Sequence, residues 1–335
     1  MTIVWPFLLL SLLAAPSVAA TARQTTPPGS CSGRDVMRDV TTLAADSMMG
    51  RAPGSRGDSL GTAYLMQEVK RAVGSSGVIT TQEVPVGRGE GTTSRNIIAT
   101  IPGARSEWVV LTAHHDGLGI GKPDARGDSV YNGANDNAVG VALALCVVRT
   151  LAPAAGRRGV ILILTAAEER GRLGARYWAE HPTVPVARVK FAVNLDAIGV
   201  TGPTLDFIAY GKGMLIGADS MLQSAGARAG FALTTVSFES SMYWAFDSAE
   251  LAAVGIPAIT IGQGMRSPPG PTRPPPAGMP DIRRRYHTPS DEVAEDWDSA
   301  AIVRYGELAA SLVEAARTDT AAIRLRSPNV YQQRP

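Results

Sequence analysis

Residues 159–169 read GVILILTAAEE, and this stretch decides the fold. Gly159–Ala166 is a continuous apolar run of strand length, the pattern of a strand buried on both faces. Such strands belong to sheets covered on both sides by helices, and two acids, Glu168 and Glu169, follow where the run stops. The same alternation recurs on either side of it. Ile97–Ile101, Trp108–Ala113, Val189–Leu195, Leu205–Ala209 and Ile256–Ile261 read as strands. Ala138–Leu151, Leu173–Glu180, Leu215–Ala229, a short piece at Ser248–Val254 and Ser299–Ala316 read as helices. Ahead of them, Asp35–Asp46 and Leu60–Val73 carry helix-spaced apolar residues, separated by the turn-rich MMGRAPGSRGDS at 48–59. This order predicts an α/β fold, a three-layer α/β/α sandwich around a mostly parallel, mixed central sheet, as a single domain over residues 35–317.

The composition agrees. A chain of 335 residues with 45% hydrophobic content can bury one substantial core. A net charge of +2 argues for no nucleic-acid partner. Residues 1–20, MTIVWPFLLLSLLAAPSVAA, are apolar and end in the small residues Val18-Ala19-Ala20, which reads as a secretory signal peptide. Pro6, Pro16 and the short apolar core count against a retained membrane anchor, although no Lys or Arg precedes the run. No later segment reads as long and apolar enough to span a bilayer. Residues 21–34 are rich in Thr, Pro, Gly and Ser and read as a linker, and 318–335 as a C-terminal tail. Of the two cysteines, Cys146 lies in the apolar Val139–Val148 and reads as a buried free thiol, although export would let it pair with Cys31.

The acids and histidines carry the chemistry. His114 follows the strand at 108–113, Glu168 and Glu169 follow 159–166, and Asp196 follows 189–195. Open α/β sheets place their sites at these carboxyl ends. Singly, each group has an ordinary explanation. Asp136 and Asn137 are cap candidates for the next helix, and Glu168-Glu169 suits a helix N-terminus. His115 points to the other side of the extended chain and is no ligand, while His181 reads as the exposed end of a helix. Jointly, five of His114, Asp136, Glu168, Glu169, Asp196 and His287 can hold two adjacent zinc ions, with one carboxylate bridging, and the sixth can act as general base. An Asp two residues beyond His114, Asp116, is placed to orient that imidazole.

In LTAHHDGLG (111–119), GDSVYNGANDNAVG (127–140), LTAAEERGRLGARYWAEHP (164–182), AVNLDAIG (192–199) and YHTPSD (286–291), the chain resembles the secreted dizinc aminopeptidases of metallopeptidase family twenty-eight. The motifs fall in the family's order over roughly residues 95–300. The resemblance implies one zinc on His114 and Asp196, a second on Glu169 and His287, and Asp136 bridging both. It further implies Glu168 as general base, Asp116 as the orienter of His114, a cis peptide at Asp136-Asn137, and Tyr286 as donor to the oxyanion. The implied substrates are peptides, with no stable membrane association once a signal is removed; nothing sets the oligomeric state.

The chain also departs from the family pattern. A Ser-Asp-His element often precedes the last core strand, and here Phe246-Asp247-Ser248 stands before Gly255-Ile256-Pro257, so that Asp247 matches and the histidine does not. Pro85–Thr93 is too short to hold the protease-associated insertion of many relatives, and a proline-rich loop, Arg266–Arg285, precedes Tyr286. Three other functions stay open. A glutaminyl cyclase-like transferase would keep one zinc, a non-catalytic binding module would have lost ligands, and a carboxypeptidase would need a fixed cation such as Arg283, Arg284 or Arg285. The signal reading is checked by N-terminal sequencing of exported protein. A mature chain starting near Thr21, outside the cytoplasm, is expected, whereas an intact Met1 on membrane-bound material would support an anchor.

Overall fold

The computed structural model describes residues 32–326 apart from 88–90, 155, 197, 199–201, 237–241, 267–284, 296 and 320–321. The expected signal peptide, most of the linker and almost all of the proline-rich loop therefore lie outside the described residues. The chain runs α1 (Gly33–Leu43), a 3-10 turn (Asp46–Arg51), α2 (Arg56–Val73), β1 (Val78–Pro85), β2 (Thr93–Ile101) and β3 (Arg105–His114). Next come β4 (Gly119–Ile120), β5 (Val130–Tyr131), α3 (Val139–Leu151), β6 (Arg158–Thr165), α4 (Leu173–Glu180), β7 (Val189–Leu195) and β8 (Asp206–Tyr210). The remainder is β9 (Leu215–Ile216), α5 (Asp219–Arg228), β10 (Ala232–Thr234), α6 (Ser248–Ala253), β11 (Ala258–Gln263), α7 (Ser299–Thr318) and β12 (Arg324–Leu325).

Eight strands form one mixed sheet in the order β1-β2-β6-β3-β7-β11-β8-β10. Its centre, β6-β3-β7-β11, is parallel, while β2 pairs antiparallel with β1 and β6, and β8 antiparallel with β11. The stretch quoted first sits in this centre and splits by alternate residues. Val160, Leu162 and Leu164 pack with α1, α2, α3, α5 and α7 on one face, and Ile161 and Ile163 join Trp178 of α4 and Leu251 of α6 on the other. That two-sided burial is the physical content of an unbroken apolar strand. The helices α1 and α2 are locked to α3 by charge: buried Asp39 and Glu68 accept from Arg38 and Arg149, and Arg71 also pairs with Glu68.

Several elements differ from the sequence reading. Leu215–Ala229 is not one helix: Leu215–Ile216 pairs with Arg324–Leu325, Gly217 takes a left-handed φ of 85°, and the helix starts at Asp219. The edge strand Val78–Pro85 escaped the sequence reading because it is largely exposed, so it has no apolar run to betray it. Ala134–Leu151 does pass the length and hydropathy test for a span, contrary to expectation, but it is a helical core segment buried in the domain. Cys146 is disulfide-bonded, which corrects the free thiol expected for it; the sequence has one other cysteine, Cys31, outside the described residues.

Candidate active site

The carboxyl ends of the central parallel strands meet at one place. His114 is the last residue of β3, Asp196 immediately follows β7, and Glu168 and Glu169 sit on the turn after β6. That turn reverses through a left-handed Ala167 (φ 56°) and is closed by the N–H groups of Gly171 and Arg172 donating to the Glu168 carbonyl, each at 2.8 Å. Asp136 arrives from the turn before α3, and its peptide bond to Asn137 is cis. His287 comes from the loop before α7, with a positive φ of 57°.

The distances join these residues into two groups that share Asp136: His114, Asp136 and Asp196, and Asp136, Glu169 and His287, with donor atoms within 4.8 Å of one another in each. His114 Nε2 lies 3.1 Å from Asp136 Oδ1 and 3.4 Å from Asp196 Oδ1. His287 Nε2 lies 3.3 Å from Asp136 Oδ2 and 3.1 Å from Glu169 Oε2. One ring nitrogen carries at most one proton, so neither imidazole can satisfy both its carboxylates by hydrogen bonding. A tetrahedral ion with bonds of about 2.0–2.1 Å requires donor separations of about 3.3 Å, which all four contacts approach. The residues fit a pair of zinc-type ions, with opposite oxygens of Asp136 turned to the two positions.

Burial and mutual charge shift most of these groups. Burial would depress His114, but Asp196, together with Asp116 and Asp136, outweighs it and holds the imidazole well above its usual range. Burial pushes Glu168 up to about 10, assisted by Asp196, Asp247 and Asp116 and opposed by His114. Glu169 and Asp196 are raised first by burial as well. His287 rises to about 10 because Asp136 and Glu169 accept from it. Burial would raise Asp136, but the His114 and His287 imidazoles outweigh it and hold the carboxyl below its usual range.

The other expected site residues are also near. Asp116 stands 3.5 Å from His114 Nδ1, and its two oxygens accept the backbone N–H groups of Glu168 (2.9 Å) and Glu169 (3.2 Å), so it fastens the acidic turn to the end of β3. Tyr286 stacks on the His287 ring with 3.7 Å between centroids, and its phenol is raised by burial and by the nearby acids. His115 faces away, its Nε2 lying 2.9 Å from the Arg95 carbonyl oxygen, and His181 is exposed at the end of α4. Of the two cap candidates, Asn137 caps by accepting from the Gly140 N–H at 3.1 Å, while the Asp136 carboxylate faces the histidines.

Some residues of the site carried no role in the sequence reading. Asp291, the last letter of YHTPSD, accepts from the N–H groups of Asn135 and Asp136. Arg51, inside the segment read only as turn, is fully buried beneath the same turn. Asn96 bridges the Ala166 N–H and the Gly174 carbonyl, holding α4 to the end of β6. Asp247 is buried, accepts from the Thr165 hydroxyl at 2.5 Å, and is raised by burial to about 7, in spite of the absent histidine beside it.

The model of peptidase family M28 matches residues 96–313. The chain belongs to peptidase family M28. Membership gives the coarse class, a peptidase family. A probable zinc metalloprotease of Leptosphaeria maculans is 34% identical over 31% of the chain, and the match spans about a quarter (24%) of that relative's length. Among solved structures, BSAP, a zinc aminopeptidase from Bacillus subtilis, superposes with a TM-score of 0.67 at 14% identity, covering 86% of this chain and 95% of that one. Porphyromonas gingivalis glutaminyl cyclase superposes with a TM-score of 0.65 at 20% identity, covering 84% and 97%. At these identities the structures establish a shared fold.

Asp116→Ala frees both N–H groups that hold the Glu168-Glu169 turn. Metal retained after dialysis and peptide hydrolysis are both expected to fall by about 10–100-fold; unchanged values in a folded variant would remove Asp116 from the site.

Proposed function

We propose that this M28 peptidase is a zinc-dependent exopeptidase, an aminopeptidase that removes N-terminal residues from peptides using two zinc ions per chain. The observation that carries the reading is the sharing of Asp136 between two complete donor groups, each with one imidazole and a further carboxylate. His114 and Asp196 would hold one ion, Glu169 and His287 the other, and Asp136 both. Bound there, the ions supply Lewis acidity to water and to the scissile carbonyl.

The chain's own groups then divide the remaining work. Glu168 belongs to neither donor group, adjoins Glu169 in the chain and feels the charges of His114 and Asp196, so it takes the proton of the attacking water and returns it to the leaving amine. Burial raises its carboxyl, and the two bound cations would oppose that rise and bring it toward the range in which it can both take and return a proton. The Tyr286 hydroxyl, raised by burial, stays protonated and donates to the developing oxyanion. Tyr286 and His287 are also the solvent-exposed rim of the site, where a peptide end approaches. A free α-amine is a cation and is favoured among these carboxylates, which selects the N-terminus.

Porphyromonas gingivalis glutaminyl cyclase shares the fold, and a metal count separates a cyclase reading from ours, one ion per chain against two. The proposal keeps the protein outside the cytoplasm, following its N-terminal segment.

Glu168→Ala is expected to keep two metals while turnover drops by about 10²–10⁴-fold, and a chelator to abolish activity that zinc restores. Near-normal turnover in that variant would refute its role as base. N-acetylation of a test peptide is expected to block cleavage while C-terminal amidation is tolerated. The reverse pattern would make the enzyme a carboxypeptidase and direct attention to Arg283, Arg284 and Arg285.

A further inference from the structure

The turn that carries Asp136 does not hold itself. Asp136 (φ −116°, ψ 85°) and Asn137 (φ −140°, ψ 40°) leave helical geometry, and Gly133 before them is left-handed. Two charged residues remote in sequence grip this turn from its opposite polar sides. On the carbonyl side, the Arg51 guanidinium donates to Asn132 O at 2.7 Å through Nη1 and to Gly133 O at 3.0 Å through Nη2. On the N–H side, Asp291 Oδ1 accepts from Asn135 at 2.9 Å, Oδ2 from Asp136 at 3.0 Å, and its main-chain oxygen from Ala134 at 3.0 Å.

Each grip reaches a second ligand loop as well. Arg51 Nε donates to His115 O at 2.9 Å, beside His114, and Nη1 also reaches Leu43 O. Asp291 lies in the loop of His287, its N–H bonded to Thr288 O at 3.1 Å. Both side chains are almost fully buried, Arg51 at 1% and Asp291 at 4% exposure. An arginine that spends its donors on carbonyls, with its charge buried, is costly to maintain. The backbone that delivers it is strained too: Met49, Gly50 and Arg51 are left-handed in succession, at φ 52°, 62° and 51°. A Cβ at Gly50 would meet Gly119 O at 2.4 Å, so only glycine fits under the β4–β5 hairpin there. Strain of this kind persists where the surroundings over-determine it.

We propose that Arg51 and Asp291 are positioning residues that together place the Asp136 carboxylate between the His114 and His287 imidazoles and so set the spacing of the two metal positions. The assignment rests on reading Asp136 as the shared ligand. Asp291→Asn leaves an amide that cannot accept from both N–H groups. Arg51→Lys keeps the charge but cannot span the carbonyls of Leu43, His115, Asn132 and Gly133.

The test uses the full chain stripped of metal and titrated with zinc against a chromogenic chelator. Both variants are expected to bind the second zinc about 10–100-fold more weakly, to give an altered visible spectrum with two Co(II) ions, and to lose kcat with KM little changed. In stripped protein, amide hydrogen exchange over residues 132–137 is expected to speed up by about ten-fold or more. Parental zinc affinity, Co(II) spectrum and exchange in folded Asp291→Asn would overturn the proposal. Should one variant fail to fold, the other decides by the same readouts. Fewer than two zincs on the wild-type chain would sink the dizinc reading instead, and exchange over 132–137 would then judge the brace alone.

Discussion

Repulsion among carboxylates is the constraint around which this molecule is organised. Asp116, Asp136, Glu168, Glu169, Asp196, Asp247 and Asp291 converge at one edge of the sheet, mostly buried. Two unit charges of like sign 4 Å apart repel by about 4 kcal/mol at an effective dielectric of 20. The fold sorts these acids by what it gives them. Asp116 and Asp291 each receive two backbone N–H groups, and Asp247 receives a hydroxyl. Burial raises Glu168, Glu169 and Asp196, and it raises Asp247 and Asp291 as well in spite of those bonds. Asp116 and Asp291 fasten loops through their backbone bonds, while Asp136, Glu169 and Asp196 sit in the donor groups with the two histidines.

The sheet makes this sorting feasible. Parallel strands end at the same edge, so β3, β6 and β7 deliver His114, the Glu168-Glu169 turn and Asp196 to neighbouring positions without long loops. Asp136 and His287 must come from outside the strands, and these are the ligands whose backbone needs help from elsewhere in the chain. Among the described residues, left-handed backbone outside glycine is found at Met49, Arg51, Ala167, Arg172 and His287, in turns that carry or adjoin the candidate ligands.

The central strands and the ligand candidates were legible in the sequence because each leaves a local mark. GVILILTA has the pattern typical of a strand buried on both faces, and an acid or histidine directly after such a run is expensive unless it is used. The supporting residues leave no such mark. Arg51 looks like any arginine in a glycine-rich turn, and its burial follows from contacts with residues 43, 115, 132 and 133. Asp291 has the same character, since its partners lie far upstream. Val78–Pro85 hid for the opposite reason, an exposed edge strand lacking the apolar pattern. Cys146 was misjudged because apolar neighbours say that a thiol is buried and nothing about whether it is paired.

The β-sheet order has a bearing on the life history of the chain. Its central pairings join segments distant in sequence, β6 beside both β2 and β3, and β7 beside β3, so the carboxyl edge is complete only after much of the polypeptide has been brought together. Residues as far apart as Arg51 and Asp291 must meet before Asp136 is held in place. A nascent or partly folded molecule therefore has the letters of the motif without the constellation. The donor groups are assembled together with the native state and not before it.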